Sequence, residues 1–401
     1  MRRLCLLLAG AVLLAPPLLA GPVEQGPPNV PAFHPAFPEQ TRAPEAVSGV
    51  ALQVERLAEG LEHPWGIAIL PDGGFLITER PGRLRVFAGG ALREAPVAGV
   101  PAVLNEGQGG LLDVALDPDF AANRLVYLTY AKPLGEGMSA TAVARGRLAE
   151  DAAALTDVGD ILVQEPPSPV AMQYGARIVF DGAGHAFVTL GEHSRPDQRA
   201  KAQDPATTYG KVVRIGLDGS APADNPFAGV DGALAAIWSL GHRNPQGAAI
   251  RPGTGELWAV EHGPRGGDEL NLIEPGKNYG WPVVSYGENY DGTPVGDGIT
   301  SADGMTGPRY YWDPVIAPGA MTFYEGAMFP AWDGDVLVAA MKPGALVRLR
   351  LDGDTVTGEE RLLKDQGRIR DVAVAPDGAI LVLTDAEDGA LLRLTPAGAG
   401  E

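Results

Sequence analysis

Apolar and polar positions alternate with a period of two along most of this chain, in short bursts closed by Asp, Gly or Pro. The first burst is GIAILPDGGFLIT, Gly66–Thr78, and the second is DVALDPDFAANRLVYLTY, Asp113–Tyr130. RIVFDGAGHAFVTLG (Arg177–Gly191), GAAIRPGTGELWAVEHG (Gly247–Gly263), MTFYEGAMFPAWDGDVLVAA (Met321–Ala340) and DVAVAPDGAILVLTD (Asp371–Asp385) follow. Each predicts a hairpin, with alternating faces on either side of a reversal. Several continue into a further strand, as at Gly82–Phe87, Lys211–Gly219, Ala345–Gly353 and Ala390–Pro396. Helical periodicity is nearly absent, and 54 glycines and 36 prolines suit many tight turns. Repetition of one strand–turn–strand unit predicts an all-β fold, a six-bladed β-propeller with four-stranded antiparallel blades. A β-sandwich is the structural rival, but it does not require the same unit six times. Inner strands of a propeller converge on a central channel, where a site is expected.

The ends of the chain read differently. Arg2 and Arg3 precede an apolar run, Leu4–Leu19, which ends at the small residue Ala20. That layout predicts a secretory signal peptide over residues 1–20, and hence a periplasmic or secreted protein. A membrane anchor is the alternative, but the run is short and carries Pro16 and Pro17. Its single cysteine, Cys5, lies inside this segment, so the mature chain has no thiol for a disulfide. Residues 21–48, rich in proline and polar groups, predict a flexible leader. Residues 49–398 show no linker-like break and are read as one domain, large enough to favour a repeat architecture.

Charge narrows the partners. The formal net charge is −19, and removing Arg2 and Arg3 leaves 29 basic against 50 acidic residues, or −21. This argues against nucleic acid and anionic membranes, and no later stretch is long and apolar enough to insert in a bilayer. A GxGxxG unit, a P-loop, HExxH and cysteine metal sites are all missing, which leaves nucleotide, nicotinamide and zinc chemistry without support.

Polar segments interrupt the bursts. GHRNPQG places Arg243 and Asn244 beside a proline, where a guanidinium and an amide can bind carboxylate or quinone oxygens. The plainer reading is a turn that holds neighbouring carbonyls. EHGPRGGDELNLI (Glu261–Ile273) offers hard oxygen ligands suited to Ca²⁺, without EF-hand spacing, and alone reads as a structured loop. GRIRD sets Arg368 and Arg370 on one face, where they repel unless an anion or an acid lies between them; a solvated edge is the bland alternative. Lys342 follows an apolar strand, and Gln108 stands in the bare glycine loop NEGQGG, open to close approach of a ligand.

These pieces, taken in order, resemble a known family. They are GQGGLLDVALDPDF, ARIVFDGAGHAFVTLGE, GKVVRIGLDGS with DNPF, IWSLGHRNPQGAA, EHGPRGGDELNLI, GKNYGWPVVSYG, YYWDPVIAPGAM and GRIRDV. The resemblance is to the soluble quinoprotein sugar dehydrogenases, the glucose/sorbosone dehydrogenase family, and within it to the bacterial aldose sugar dehydrogenase branch. It implies a propeller that carries pyrroloquinoline quinone (PQQ) and Ca²⁺ at the channel mouth, an aldose substrate, and an electron acceptor that the sequence leaves open. By resemblance, Gln108, Asn244, Lys342, Arg368 and Arg370 hold the quinone and its carboxylates, and Arg243 lies over the reacting quinone and sugar. Gly263 and Pro264 match carbonyl ligands of the Ca²⁺ that bridges to PQQ, while Glu269 and the Tyr279 carbonyl match a second, structural Ca²⁺ site.

One position departs from the family. Its general base is a histidine in a His-aromatic-Gly-Ser-Arg segment, and here the matching segment is Gln173-Tyr174-Gly175-Ala176-Arg177. An amide has no useful basicity near neutral pH. His193, in GEHS, is read as an exposed loop histidine. Three functions follow: a PQQ- and Ca²⁺-dependent aldose dehydrogenase, which is the leading one; a catalytically impaired PQQ- or sugar-binding propeller; and a Ca²⁺-dependent lactonase, for which no acidic channel cluster is seen.

Overall fold

All six predicted hairpins form the two inner strands of a blade. In the computed structural model, which describes residues 20–398, six four-stranded antiparallel sheets close into a ring. Their innermost strands are Pro64–Ile69, Leu111–Leu116, Gly175–Phe180, Pro245–Ile250, Pro318–Phe323 and Ile369–Val374, for blades one to six. Each inner strand contacts the next around the ring, and blade six returns to blade one. The signal-peptide reading falls on residues that lie, but for Ala20, outside the described ones.

Alternation along each strand presents one apolar face to each neighbouring blade. The core of the described residues is therefore six main clusters, one between each adjacent pair, with two smaller ones around Trp65 and Trp281. Leu84, Val114 and Leu128 join blades one and two, while Trp258, Val338 and Val347 join blades four and five. This layering explains how a chain of this length is built without one oversized core.

Blade six is completed from the other end of the chain. Leu52–Leu61 pairs antiparallel with Gly389–Pro396, in a register that runs from Leu52 opposite Pro396 to Leu61 opposite Gly389. Residues 21–48 are not a flexible leader. Val23, Gln40 and Ala43 are buried. The N–H groups of Asn29 and Val30 donate to Asp313, Ala46 N–H donates to the Glu359 carbonyl, and Gln40 donates to the Pro308 carbonyl. The composition correctly forecast little regular structure. It could not show that blade five's outer strand, Thr355–Leu362, would supply partners to the segment and be covered by it.

An irregularity recurs six times. The pairing of each inner strand with its neighbour shifts register near the strand's start, at Pro64/Ile67, Leu111/Val114, Gly175/Ile178, Pro245/Gly247, Pro318/Ala320 and Ile369/Asp371. A bulge adds a residue and re-aims its side chain. It lets Trp65, Asp113, Arg177, Gln246 and Arg370 converge on the axis where regular strands would alternate past it. Gly319 takes the same place in blade five, where a Cβ would stand 2.4 Å from the Arg370 carbonyl oxygen.

Candidate active site

The loops that enter the inner strands and those that join second to third strands all emerge on one face of the ring. There they enclose a cavity of about 440 Å³ lined by Gln108, Gln173, Arg243, Asn244, Arg368 and Arg370. Six candidates from four separate segments thus share one space. Lys342 does not line it. It is exposed in an adjoining cavity of about 380 Å³, together with Gly263 and Pro264. Gly263, Pro264, Glu269 and Tyr279 surround a much smaller space of about 10 Å³, roughly one water. Arg243 and His262 border both this space and the main cavity.

Arginines dominate the main cavity. Arg80, Arg243, Arg368 and Arg370 line it against a single carboxylate, Asp385. This excess of positive charge sits in a chain of net charge −19. Asp385 is the acid required between Arg368 and Arg370, accepting from their Nη2 atoms at 3.0 and 2.7 Å. Burial alone would raise its pKa, but Arg370, His63 and Arg368 hold it well below the usual carboxylate range. Burial lowers Arg370, with Asp385 opposing.

The backbone around Gln173 is tightly held. Gln173, Gly175 and Ala176 have φ of +52°, +67° and +84°. For a non-glycine residue this is a strained region, and it persists only where neighbours impose it. Here Gln173 N–H donates to Gln108 Oε1 at 2.9 Å and Gly175 N–H to Asn244 Oδ1 at 3.0 Å. Gly191 packs so tightly on Gln173 that a Cβ would meet its carbonyl oxygen at 1.8 Å. Gln173 Oε1, Arg243 Nε and Arg370 Nε are buried without hydrogen-bond partners among the described residues. Such groups are rare unless they serve something that enters the site.

Arg243 is fixed by three hydrogen bonds and one aromatic contact. Its N–H donates to Glu261, its Nη1 donates to the His262 and Gly263 carbonyls, and its guanidinium lies 5.3 Å from the Trp281 ring centre. Below it, Asn271 Nδ2 bridges Glu261 Oε1 and Glu269 Oε2 at 3.0 and 3.1 Å. Burial, then the nearby Glu261 charge, pushes the Glu269 carboxyl far up. A buried acid pair beside backbone carbonyls suits a hard cation. Among the described residues no cluster of three or more His, Cys, Asp or Glu is placed to hold a metal, so backbone oxygens would complete any such site.

His193 is not an exposed loop histidine. It is fully buried, edge-on to Tyr174 and Tyr209, with Nε2 2.7 Å from Gln164 Oε1 and Nδ1 3.1 Å from the Val170 carbonyl. The loop it belongs to folds inward, and burial pushes its pKa down to about 4. Sequence reasoning also passed over His63, Trp65, Gln246, His262, Tyr290 and Asp385, all of which line the cavity. Asp385 and His262 follow directly on second strands already identified, and that position was the available signal.

The glucose/sorbosone dehydrogenase family matches residues 61–393. Aldose sugar dehydrogenase YliI of Escherichia coli is 45% identical over 338 residues, covering 83% of this chain and 90% of that one. The chain belongs to the glucose/sorbosone dehydrogenase family. The crystal structure of the soluble aldose sugar dehydrogenase from Escherichia coli in the apo-form superposes with a TM-score of 0.83 at 44% identity, covering 86% of this chain and all of that one. The PQQ-bound form of aldose sugar dehydrogenase from Streptomyces coelicolor gives a TM-score of 0.70 at 27% identity, covering 86% and 99%. Within the family's fold, the residues that the resemblance singled out occupy one mouth of the propeller.

Proposed function

We propose that this chain is an exported PQQ- and Ca²⁺-dependent aldose dehydrogenase, oxidising the anomeric hydroxyl of a sugar to the lactone by hydride transfer to PQQ. The observation that carries this reading is the arginine-rich cavity with buried, unpartnered donors at Arg243 and Arg370. A planar tricarboxylate fits that demand, because guanidinium groups match carboxylate geometry and the flat Trp65 side chain lies in the same lining. The aldose sugar dehydrogenases of Escherichia coli and Streptomyces coelicolor, the latter solved with PQQ bound, support the same reading.

When bound, PQQ supplies the two-electron acceptor and Ca²⁺ polarises its carbonyl. The protein's own residues do the rest. Arg368 and Arg370, held apart by Asp385, bind carboxylates. Asn244 and Gln108 fix the cavity wall through Gly175 and Gln173. Lys342, in the adjoining cavity, would add a cation for the cofactor's carboxylates. Gly263 and Pro264 would offer carbonyl oxygens to one Ca²⁺, and Glu269 with the Tyr279 carbonyl would hold a structural one.

Purified apoprotein reconstituted with PQQ and Ca²⁺ should reduce a redox dye with several aldoses, and a chelator should remove the activity. Absence of both a PQQ spectrum and turnover would overturn the proposal. Gln173 favours a second reading, a binding propeller, which tight PQQ binding without dye reduction would select.

A further inference from the structure

We infer that His63, oriented by Asp385, takes the proton that Gln173 cannot. The inference rests on the dehydrogenase reading and deepens it. His63 and His262 are the two histidines that line the main cavity. His262 hands its Nε2 to Gln246 Oε1 at 3.0 Å, and Arg370 donates to the same oxygen, so His262 Nε2 carries the hydrogen and only Nδ1 is left to accept a proton, on a ring whose protonation burial and the neighbouring charges of Arg243, Arg370 and Arg368 oppose. His193 is enclosed outside the lining. Gln173 lines the same cavity with an amide that has no basic lone pair.

His63 differs in each respect. Its Nδ1 lies 2.9 Å from Asp385 Oδ1. Asp385 is held ionised by two arginines, so it can only accept, and Nδ1 must donate. The neutral ring then carries its lone pair on Nε2, which makes no hydrogen bond among the described residues. The side chain is 36% exposed, so a sugar hydroxyl can reach it, whereas its partner Asp385 is 6% exposed. The backbone holds the ring in place. His63 has a φ of +46°, unusual for a residue before proline, and its N–H and C=O are tied to the Ala386 carbonyl and the Arg80 N–H. A base oriented by a buried carboxylate, with its other nitrogen open to the cavity, is the arrangement that proton transfer requires.

The step balances on the reaction proposed above. The anomeric O–H bond breaks and its proton passes to His63 Nε2. The C1–H bond breaks with its electron pair, which leaves as hydride for the bound quinone. The sugar loses two electrons and becomes the lactone, and the quinone gains them.

His63→Asn is the decisive variant. Asn tolerates a left-handed backbone and its Nδ2 can still donate to Asp385, but it cannot take a proton. With PQQ and Ca²⁺ saturating, kcat should fall by about 10²–10⁴, with KM little changed and PQQ affinity by fluorescence titration intact. His63→Asn combined with Gln173→His should regain turnover. If His63 only props Asp385 and the arginines, kcat stays at the wild-type level, and that result overturns the inference while leaving the dehydrogenase reading standing. A wild-type protein that binds PQQ yet reduces no dye overturns both. A separate readout is the ¹⁵N spectrum of the apoprotein. The His63 signals, identified by their loss in His63→Asn, should show the Nδ1–H tautomer, and an Nε2–H tautomer refutes the role.

Discussion

His193 and His63 start from the same imidazole and end with opposite properties. Nothing near His193 in sequence indicates burial. It comes from Tyr174, Tyr209 and Gln164, which reach it across the fold. The consequence is measurable. Burial lowers His193 from 6.5 to about 4, so between those values the unfolded chain binds a proton that the folded chain refuses. Its contribution to stability is complete above about pH 6.5 and is lost as pH falls through 4. The shift corresponds to something on the order of 3 kcal/mol. Denaturation midpoints of wild type should therefore fall more steeply between pH 6.5 and 4 than those of His193→Gln, and parallel curves would refute this. The same long-range effect explains why His63 was missed, since its partner Asp385 lies 322 positions away.

At the scale of elements, hairpins are the most legible level. Alternation and turn chemistry are local, so the six strand pairs could be placed from residue order alone. Bulges are not legible in this way, because one displaced residue at Asp113 or Arg370 leaves the surrounding alternation nearly unchanged. The polar segment of residues 21–48 illustrates a related limit: low regularity is written in its composition, but its docking on blade five is not. Loops also depend on partners from strands. Lys211, at the start of blade three's third strand, is fully buried and donates from Nζ to the carbonyls of Lys201, Ala202 and Tyr209 at 3.0, 3.0 and 2.6 Å. Burial lowers it to about 7. Lys211→Met would leave three carbonyls without this donor. It should destabilise the protein by about 3 kcal/mol in chemical denaturation, with faster amide exchange across residues 200–209.

The whole molecule meets at Arg177. Its own strand belongs to blade three. Its guanidinium donates to Asp113 of blade two, the Gln246 carbonyl of blade four, and Asp371 and the Gly319 carbonyl of blades six and five. Its charged carbon lies 4.7 Å from the Trp65 ring centre of blade one. One side chain thus touches all six blades and blocks the axis below the cavity. The sequence reading used Arg177 only to align a segment, because this role exists only in the closed ring. Arg177→Met should destabilise the protein by about 3–5 kcal/mol, since Asp113 and Asp371 would remain buried without their cation. Adding Asp371→Asn should recover part of that loss in thermal melts; no recovery would show that the charge pairing is not what Arg177 supplies.

The pairing of Leu52–Leu61 with Gly389–Pro396 has a consequence for biosynthesis. The partner of this early strand is made only after the strands of the other five blades. A chain emerging from the ribosome can form individual hairpins, but blade six stays incomplete, and blades one and five lack their shared neighbour, until Gly389–Pro396 has been made. A nascent chain is thereby held short of its closed, tightly packed state throughout synthesis. A stop codon in place of Gly389 should abolish folding of the whole ring, not trim one edge.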